Sequence, residues 1–146
     1  MERTPDPKPS RWRRRGWTLR ALVLLVLLRT GLLLLPFRLL KRLQARAARV
    51  RADAWPDPWV PALAHSVERA ARLLPGEETC LAQAMAGQIL LARAGHPSAI
   101  RIGVARPKGG VDRSGRRLLA HAWLESRGVT LIGESESGRY TVLGEE

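Results

Sequence analysis

The chain has a single cysteine, Cys80, among its 146 residues. With no second cysteine there is no CxxC pair or other zinc-type spacing, so we expect no structural metal. A phosphate-binding loop is also missing, because Gly109-Gly110 is followed by neither a GK[ST] ending nor a helix pattern. We therefore expect no nucleotide cofactor. A lone free thiol is typical of a protein of the reducing cytoplasm.

Acidic residues are scarce in the first third of the chain. Residues 1–51 hold 14 Lys and Arg against two acids, whereas residues 52–146 hold 11 of each. All of the formal net charge of +12 therefore lies in the N-terminal segment. Its first part, residues 1–17, is rich in Pro and Arg and is predicted to be a disordered basic tail. The Leu-rich sequence between the later arginines is unlike a phosphate-tracking groove, so we expect no nucleic-acid partner.

A long uninterrupted apolar run is absent as well. Between Arg20 and Arg38 lie 17 residues with Arg29 at their centre. A spanning helix needs about 20 apolar residues, and a central arginine costs roughly 2.5–3.5 kcal/mol on insertion scales. A clean membrane span is therefore not expected, and the lack of a small-residue cleavage site disfavours a signal peptide.

Residues 18–51 are nevertheless predicted to be helical, apolar and basic. Three interpretations stay open: a helix pair that packs on the rest of the protein, an interfacial helix on anionic lipid, or a docking surface for a partner protein. The expected location is the cytoplasm, with membrane association through residues 18–43 as an open alternative.

One small domain is predicted after this segment. Residues 52–146 can bury a modest core and no more. Within them, residues 55–59, with the sequence WPDPW, are interpreted as a stiff aromatic linker before a helix that begins near Pro61. No internal repeat is visible.

Cys80 stands where a second helix of this domain is predicted to begin. Thr79 is a good N-cap residue, and residues 81–94 are rich in helix formers before Gly95 offers a stop. The unpaired N–H groups and the macrodipole at a helix N-terminus stabilise a negative charge, and the thiolate is the nucleophilic form of cysteine. The apolar residues that recur at helical spacing are Leu81, Met85 and Ile89. Burial of that face would fix the position of the sulfur.

Three strands are predicted after this helix. An alternating segment over 98–105 precedes a polar, glycine-containing loop over 106–117. The apolar segment 118–125 is followed by a hairpin turn at 126–128 and a return strand over 129–132. Helices packed on an antiparallel sheet make the predicted fold class α+β.

The hairpin sets a register for the histidine of the middle strand. A loop of two or four residues centred on Arg127-Gly128 makes paired positions sum to 255. Glu125 then lies opposite Thr130, and His121 lies opposite Glu134. Directly opposed side chains are about 4.5–5.5 Å apart at Cβ.

A carboxylate in that place would orient the imidazole. It can accept the N–H of one ring nitrogen and leave the other nitrogen facing a thiol. We therefore take Cys80, His121 and Glu134 as a candidate catalytic triad. A three-residue loop would instead bring Gly133 opposite the histidine, and Glu136 is the rival for the acid.

Two segments taken together resemble a known family. The run TCLAQAMAGQILLARAGHPSAIRIGV over 79–104 and the run AHAWLE over 120–125 are similar to the transglutaminase-like B protein of lasso-peptide biosynthesis. More narrowly, they resemble its free-standing peptidase half, the B2 protein. The resemblance covers about residues 67–143 and is expected to include the Leu- and Arg-rich N-terminal segment. It implies a small transglutaminase- or papain-like catalytic domain within residues 52–146.

This resemblance implies catalytic roles for individual residues of the chain. It implies that Cys80 and His121 form a protease centre with a downstream acid. In that family the acid is usually an aspartate, whereas this chain has no aspartate after Asp112. The acid must then be Glu134 or Glu136, or the site works without one.

The resemblance also implies a reaction and its partners. Proteins of that family remove the leader peptide from a ribosomally synthesised lasso-peptide precursor through a thioester acyl-enzyme. A separate leader-recognition protein presents the precursor, and a lasso cyclase acts in the same pathway. We expect the backbone N–H groups at the helix start to hold the oxyanion. Gln83 contributes there or has only a packing role, and Trp123 walls the cleft or is an ordinary half-buried aromatic.

Other interpretations remain open from the sequence. In a transglutaminase-like acyltransferase, an amine rather than water would resolve the thioester. In a non-catalytic membrane-associated scaffold, Cys80 would be a small buried apolar residue, which is the commoner role of a solitary cysteine. The other two histidines, His65 and His96, are expected to be non-catalytic.

Overall fold

The structure is a computed structural model that describes residues 8–75, 80–111, 113–133 and 140–143. In this part of the chain, four helices precede four strands. The helices are α1 (Arg11–Leu34), α2 (Phe37–Ala47), α3 (Trp59–Leu73) and α4 (Cys80–Arg93). The strands are β1 (Ala99–Ala105), β2 (Leu119–Ser126), β3 (Val129–Ile132) and β4 (Thr141–Val142). They form one antiparallel sheet in the order β3-β2-β1-β4, so the α+β fold class is confirmed.

Helix α4 is the centre of the molecule. It is buried on nearly all sides, because α1, α3 and the sheet surround it. Gly87 allows the close approach of the sheet, since a Cβ there would lie 2.5 Å from Ile132 Cδ1 and 2.8 Å from Leu124 Cδ2. At its other end the helix stops at Gly95, whose φ of 81° is unfavourable for a residue with a Cβ. The predicted helix and its glycine stop are therefore present.

The β2–β3 hairpin has the predicted two-residue turn. Arg127 and Gly128 both have positive φ, 51° and 76°, as the common tight hairpin turn requires. Glu125 pairs with Thr130, which confirms the predicted register at that point. A bulge then shifts the pairing, so that Leu124 lies opposite Ile132 and positions no longer sum to 255. The predicted register is therefore wrong at Leu124, and the predicted partner of His121, Glu134, lies outside the described residues.

The N-terminal helix begins earlier than the sequence predicted. Residues 11–17, assigned above to a disordered tail, form the start of α1, and the Ser10 side chain caps it by accepting a hydrogen bond from the Arg13 N–H at 3.3 Å. The physical reason is Trp17, which is only 2% exposed and packs against both Trp55 and Trp59 at ring separations of 5.7 and 5.8 Å; those two rings also contact each other. The aromatic residues of the predicted linker thus hold α1 against the rest of the protein.

Helix α1 contributes to the common core. The buried residues of this helix are Trp17, Ala21, Leu25, Leu28 and Gly31. They join one apolar cluster with residues of α3, α4 and the sheet. Of the three interpretations of residues 18–51, packing on the domain therefore describes the inner side of α1.

Candidate active site

Cys80 is the first residue of α4, as the sequence predicted. Its sulfur accepts a hydrogen bond from the backbone N–H of Ala122, with Sγ and N 3.4 Å apart. A donor aimed at the sulfur stabilises a negative charge there, as does the helix N-terminus itself. Thr79, the predicted N-cap residue, lies outside the described residues.

Gly133, the residue after the end of β3 at Ile132, lies close to this part of β2. A Cβ at Gly133 would lie 3.0 Å from Trp123 Cβ and 3.3 Å from the Ala122 carbonyl oxygen. Its φ of 83° is in the left-handed region that favours glycine. The start of α4 and the end of β3 therefore meet at the same segment of β2.

His121 precedes Ala122 in β2 and contacts the same Gly133. Its Nε2 is 3.2 Å from the carbonyl oxygen of Gly133. Because a carbonyl only accepts, Nε2 must carry the hydrogen and donate it. In the neutral imidazole this leaves the lone pair on Nδ1. The ring is therefore held in a tautomer that has one free basic nitrogen.

One cavity of about 400 Å³ joins these groups. Its lining residues are Glu68, Arg72, Cys80, Gln83, Ala120, His121, Ala122, Ile132, Gly133 and Tyr140. The predicted nucleophile and the predicted base therefore share a cleft. Gln83, one turn into α4, lies in the same lining and is only 9% exposed. The predicted acid, Glu134, and its rival, Glu136, lie outside the described residues.

Comparison with known families agrees with this geometry. A model of the transglutaminase-like superfamily matches residues 20–145. The chain belongs to the transglutaminase-like superfamily. No curated protein and no solved structure is significantly similar to it. Membership supports a fold of the cysteine-protease or acyltransferase type.

The superfamily match extends across the predicted domain boundary at residue 52. It includes most of α1 and all of α2, in agreement with the packing of α1 in the core. This transglutaminase-like domain therefore uses the N-terminal helix as part of its structure.

Two aromatic rings hold His121 in this transglutaminase-like site. Trp123 lies on the same face of β2, as predicted, with its ring 6.0 Å from the imidazole and nearly parallel to it. Trp123 is 2% exposed, and its Nε1–H donates a hydrogen bond to Glu125 at 2.8 Å. It therefore packs against the imidazole and does not line the cleft. Glu125 is held in turn by Arg101 at 3.3 Å.

Tyr140 is the second ring, and sequence reasoning missed it. Its ring centroid is 5.1 Å from that of His121. Gly103 is paired with His121 across the β1–β2 ladder and allows this approach, because a Cβ there would lie 2.7 Å from Tyr140 Cβ. The only local signal in the sequence is that this residue is the sole tyrosine of the chain.

The cleft also has a wall that the sequence did not predict. Glu68 and Arg72 of α3 line it opposite the strand residues of β2. They are four residues apart and so share one face of the helix. Their spacing is common on exposed helices, so the sequence contained no signal that this face borders the cysteine.

Proposed function

We propose that the chain is a cysteine peptidase that removes the leader peptide from a ribosomally synthesised lasso-peptide precursor. The observation that carries the proposal is the shared cleft of Cys80 and His121, with the sulfur at the start of α4 and the imidazole held by Gly133. The superfamily match supports cysteine-based acyl transfer, and the resemblance of residues 79–104 and 120–125 to B2 proteins supports the substrate.

The proposed reaction transfers the acyl group of the leader first to sulfur and then to water. Nδ1 of His121 takes the proton from the Cys80 thiol, and the sulfur attacks the carbonyl carbon at the leader–core junction. The C–N bond breaks as the imidazolium gives its proton to the departing amine. Water, deprotonated by the same nitrogen, then attacks the thioester carbonyl. The C–S bond breaks, the leader leaves with a free carboxyl group, and the imidazolium returns its proton to the sulfur.

Negative charge develops on the carbonyl oxygen during both halves of the reaction. The backbone N–H of Cys80 at the start of α4 is one donor for it. The side chain of Gln83 lines the cleft one turn further along and is the proposed second donor. A buried amide of fixed position stabilises such a charge without reorganising at the moment of reaction.

The proposed enzyme depends on a separate protein that binds the leader. A cleft of about 400 Å³ contacts only a few residues of an extended peptide, and such a peptide loses much conformational freedom on binding. A leader-recognition protein would supply the missing affinity and present the scissile bond. A lasso cyclase would then consume the released core peptide.

Mass spectrometry of a precursor peptide tests the proposal. The precursor is incubated with the chain and its leader-recognition protein, and wild type is compared with Cys80→Ala. We expect cleavage at one bond by wild type alone. An intact precursor that carries an amine adduct, formed only by wild type, would identify an acyltransferase instead.

The role of the partner has its own control. The same wild-type chain is incubated with the precursor in the absence of the leader-recognition protein. We expect little cleavage, because the cleft alone binds the peptide weakly. Full cleavage without the partner would refute this dependence while leaving the peptidase assignment intact.

A further inference from the structure

Helix α1 has two apolar sides, and only one of them is covered. The inner side packs in the core, whereas the opposite side consists of large aliphatic residues in contact with solvent. We name this side the outer face, and its residues are Leu19, Val23, Val26, Leu27, Leu33 and Leu34, each 46–85% exposed. At 100° per residue they fall within one third of the helix circumference, together with the exposed Thr30, so they form a strip that is apolar apart from one hydroxyl group.

Exposed apolar residues are concentrated in this region. Of the eighteen large apolar side chains exposed in the described part of the chain, twelve lie between residues 12 and 50. Helix α2 adds Phe37, Leu39 and Leu43, each about half exposed. Isolated surface leucines need no explanation, but a continuous strip of this length is typical of a binding surface.

Arg29 does not interrupt the strip. It lies at the centre of the apolar sequence, where its charge disfavours a membrane span. In the structure its Nη1 donates to the carbonyl oxygen of Pro75 at 2.9 Å, after the end of α3. The guanidinium is therefore directed along the protein and away from the outer face.

The charge around the strip has one sign. Residues 7–52 contain thirteen Lys and Arg and no acid. Eight of these cations lie in two groups, at the start of α1 in residues 11–15 and along α2 in residues 38–46. Phosphate groups of an anionic surface complement these cations, and the hydrocarbon beneath complements the leucines.

A groove beside the strip is also lined by both apolar and cationic side chains. It encloses about 620 Å³ between α1 and the α3–α4 side of the protein. Its apolar wall includes Leu19 and Val23 of the outer face, and its rim includes Arg20, Arg51 and Arg93. An amphiphile with an anionic head fits such a lining better than an uncharged apolar ligand does.

Helix α1 cannot leave the protein to cross a bilayer without a large loss of packing. By length and composition it is apolar enough to span, and 28% of its apolar window is buried. The buried part includes Leu25 and Leu28, which lie in the core. A helix bound by its outer face alone would keep these contacts and lie in the plane of the membrane surface.

We propose that the outer face of α1 binds the surface of a membrane that contains anionic phospholipid. The helix lies flat, the leucines and valines enter the headgroup–acyl boundary, and the arginines of residues 11–15 and of α2 contact phosphates. The proposal does not depend on the proposed function, because none of these residues lines the cleft of Cys80.

Vesicle flotation of the full chain tests it. The vesicles are pure phosphatidylcholine or equal amounts of phosphatidylcholine and phosphatidylglycerol. We expect binding to the mixed vesicles, weaker binding in high salt, and little binding to pure phosphatidylcholine. The substitutions Leu27→Ser and Leu33→Ser together are expected to lower the partition coefficient about tenfold or more. Urea unfolding establishes that the variant is folded.

A matched pair of exposed leucines elsewhere is the control. Leu118 and Leu143 are each 57% exposed and lie away from α1, so Leu118→Ser with Leu143→Ser is expected to leave vesicle binding unchanged. Cys80→Ala is expected to bind like wild type. Failure of wild type to bind the mixed vesicles, or equal binding by the Leu27→Ser and Leu33→Ser variant, would overturn the proposal.

Two further outcomes would replace the membrane by a protein. If wild type forms a stable dimer that the Leu27→Ser and Leu33→Ser variant does not form, and neither binds vesicles, the outer face is a contact between copies of this chain. If these substitutions abolish binding of the leader-recognition protein and the wild type does not bind vesicles, that partner covers the outer face. Either result overturns the proposal.

Discussion

Nε2 of His121 lies 3.2 Å from the carbonyl oxygen of Gly133, so a backbone acceptor orients the imidazole. A carboxylate usually has this role in cysteine and serine hydrolases. The carbonyl selects the same tautomer as a carboxylate would, because it also accepts the hydrogen on Nε2. It differs in charge, since it does not stabilise the imidazolium as strongly as an anion would. Glu134, the predicted acid, is the next residue in the chain.

Gly133→Ala is expected to impair the site through this contact. A Cβ at this position would lie 3.1 Å from His121 Nε2 and 3.0 Å from Trp123 Cβ, so the imidazole or the carbonyl must move. We expect kcat to fall about tenfold or more, with a smaller change in KM, because a misplaced base lowers proton transfer more than substrate binding. Steady-state cleavage of a precursor peptide measures this.

Gly128→Ala is the matched control for that variant. Gly128 has a similar φ of 76°, but a Cβ there would have open space around it. Both substitutions carry the backbone strain of a positive φ, about 1–2 kcal/mol, and only Gly133→Ala disturbs the histidine. Equal losses of kcat in the two variants would show that strain, and not the His121–Gly133 contact, is responsible.

His121→Ala is expected to slow the alkylation of Cys80 by iodoacetamide in the folded protein. In the proposed mechanism the imidazole removes the thiol proton, and the thiolate is the form that reacts. We expect the rate to fall about tenfold or more, and His65→Ala to leave it unchanged, because the His65 side chain is 53% exposed and does not line the cleft. Unchanged alkylation in His121→Ala would favour a scaffold in which Cys80 is merely packed.

Gly87→Ala is expected to destabilise the protein, although alanine favours helices. The added methyl would meet the ends of Leu124 and Ile132, both fully buried in the core, at less than 3 Å. Overpacking of this kind costs about 1–3 kcal/mol. Gly16→Ala in α1 has nothing within 4 Å and should stabilise by about 0.5–1 kcal/mol. Urea unfolding of the two variants compares them, and a stabilised Gly87→Ala would contradict the tight packing of α4 on the sheet.

His96→Ala is expected to lower stability without changing the chemistry. His96 is 3% exposed, its Nε2 bonds the carbonyl oxygen of Trp55 at 2.8 Å, and its Nδ1 lies 3.6 Å from Asp57. Removal of the ring leaves a buried carbonyl without this donor, which costs about 1–3 kcal/mol. Thermal unfolding should show the loss, while the alkylation rate of Cys80 below the transition stays that of wild type. A lowered alkylation rate at full folding would contradict a purely structural role.

Local chemistry in the sequence was enough for several parts of the fold. The helix start at Cys80, the stop at Gly95 and the turn at Arg127-Gly128 each depend on residues that are neighbours in the chain. The pairing of Glu125 with Thr130 followed from that turn alone. These features are specified within a few residues, so their prediction needed no knowledge of the rest of the protein.

Other features depend on residues that are distant in the sequence. The bulge between Leu124 and Glu125 broke the counting rule of the hairpin, and beyond it the carbonyl of Gly133 accepts a hydrogen bond from His121. Tyr140 reaches His121 only because Gly103, on another strand, leaves room for it. No local sequence pattern predicts these two contacts with His121, because each contact depends on how separate elements of the fold pack together.

By itself, the sequence determined the α+β class, the element that presents Cys80, the strand that presents His121 and the concentration of positive charge before residue 52. These properties follow from residue type and short spacing. Only the tertiary structure decided that α1 belongs to the core through Trp17, that Arg29 points away from the outer face, and that a carbonyl orients the catalytic candidate His121. The reason is that burial and hydrogen-bond partners are properties of pairs of elements, and a single segment of sequence does not contain its partner.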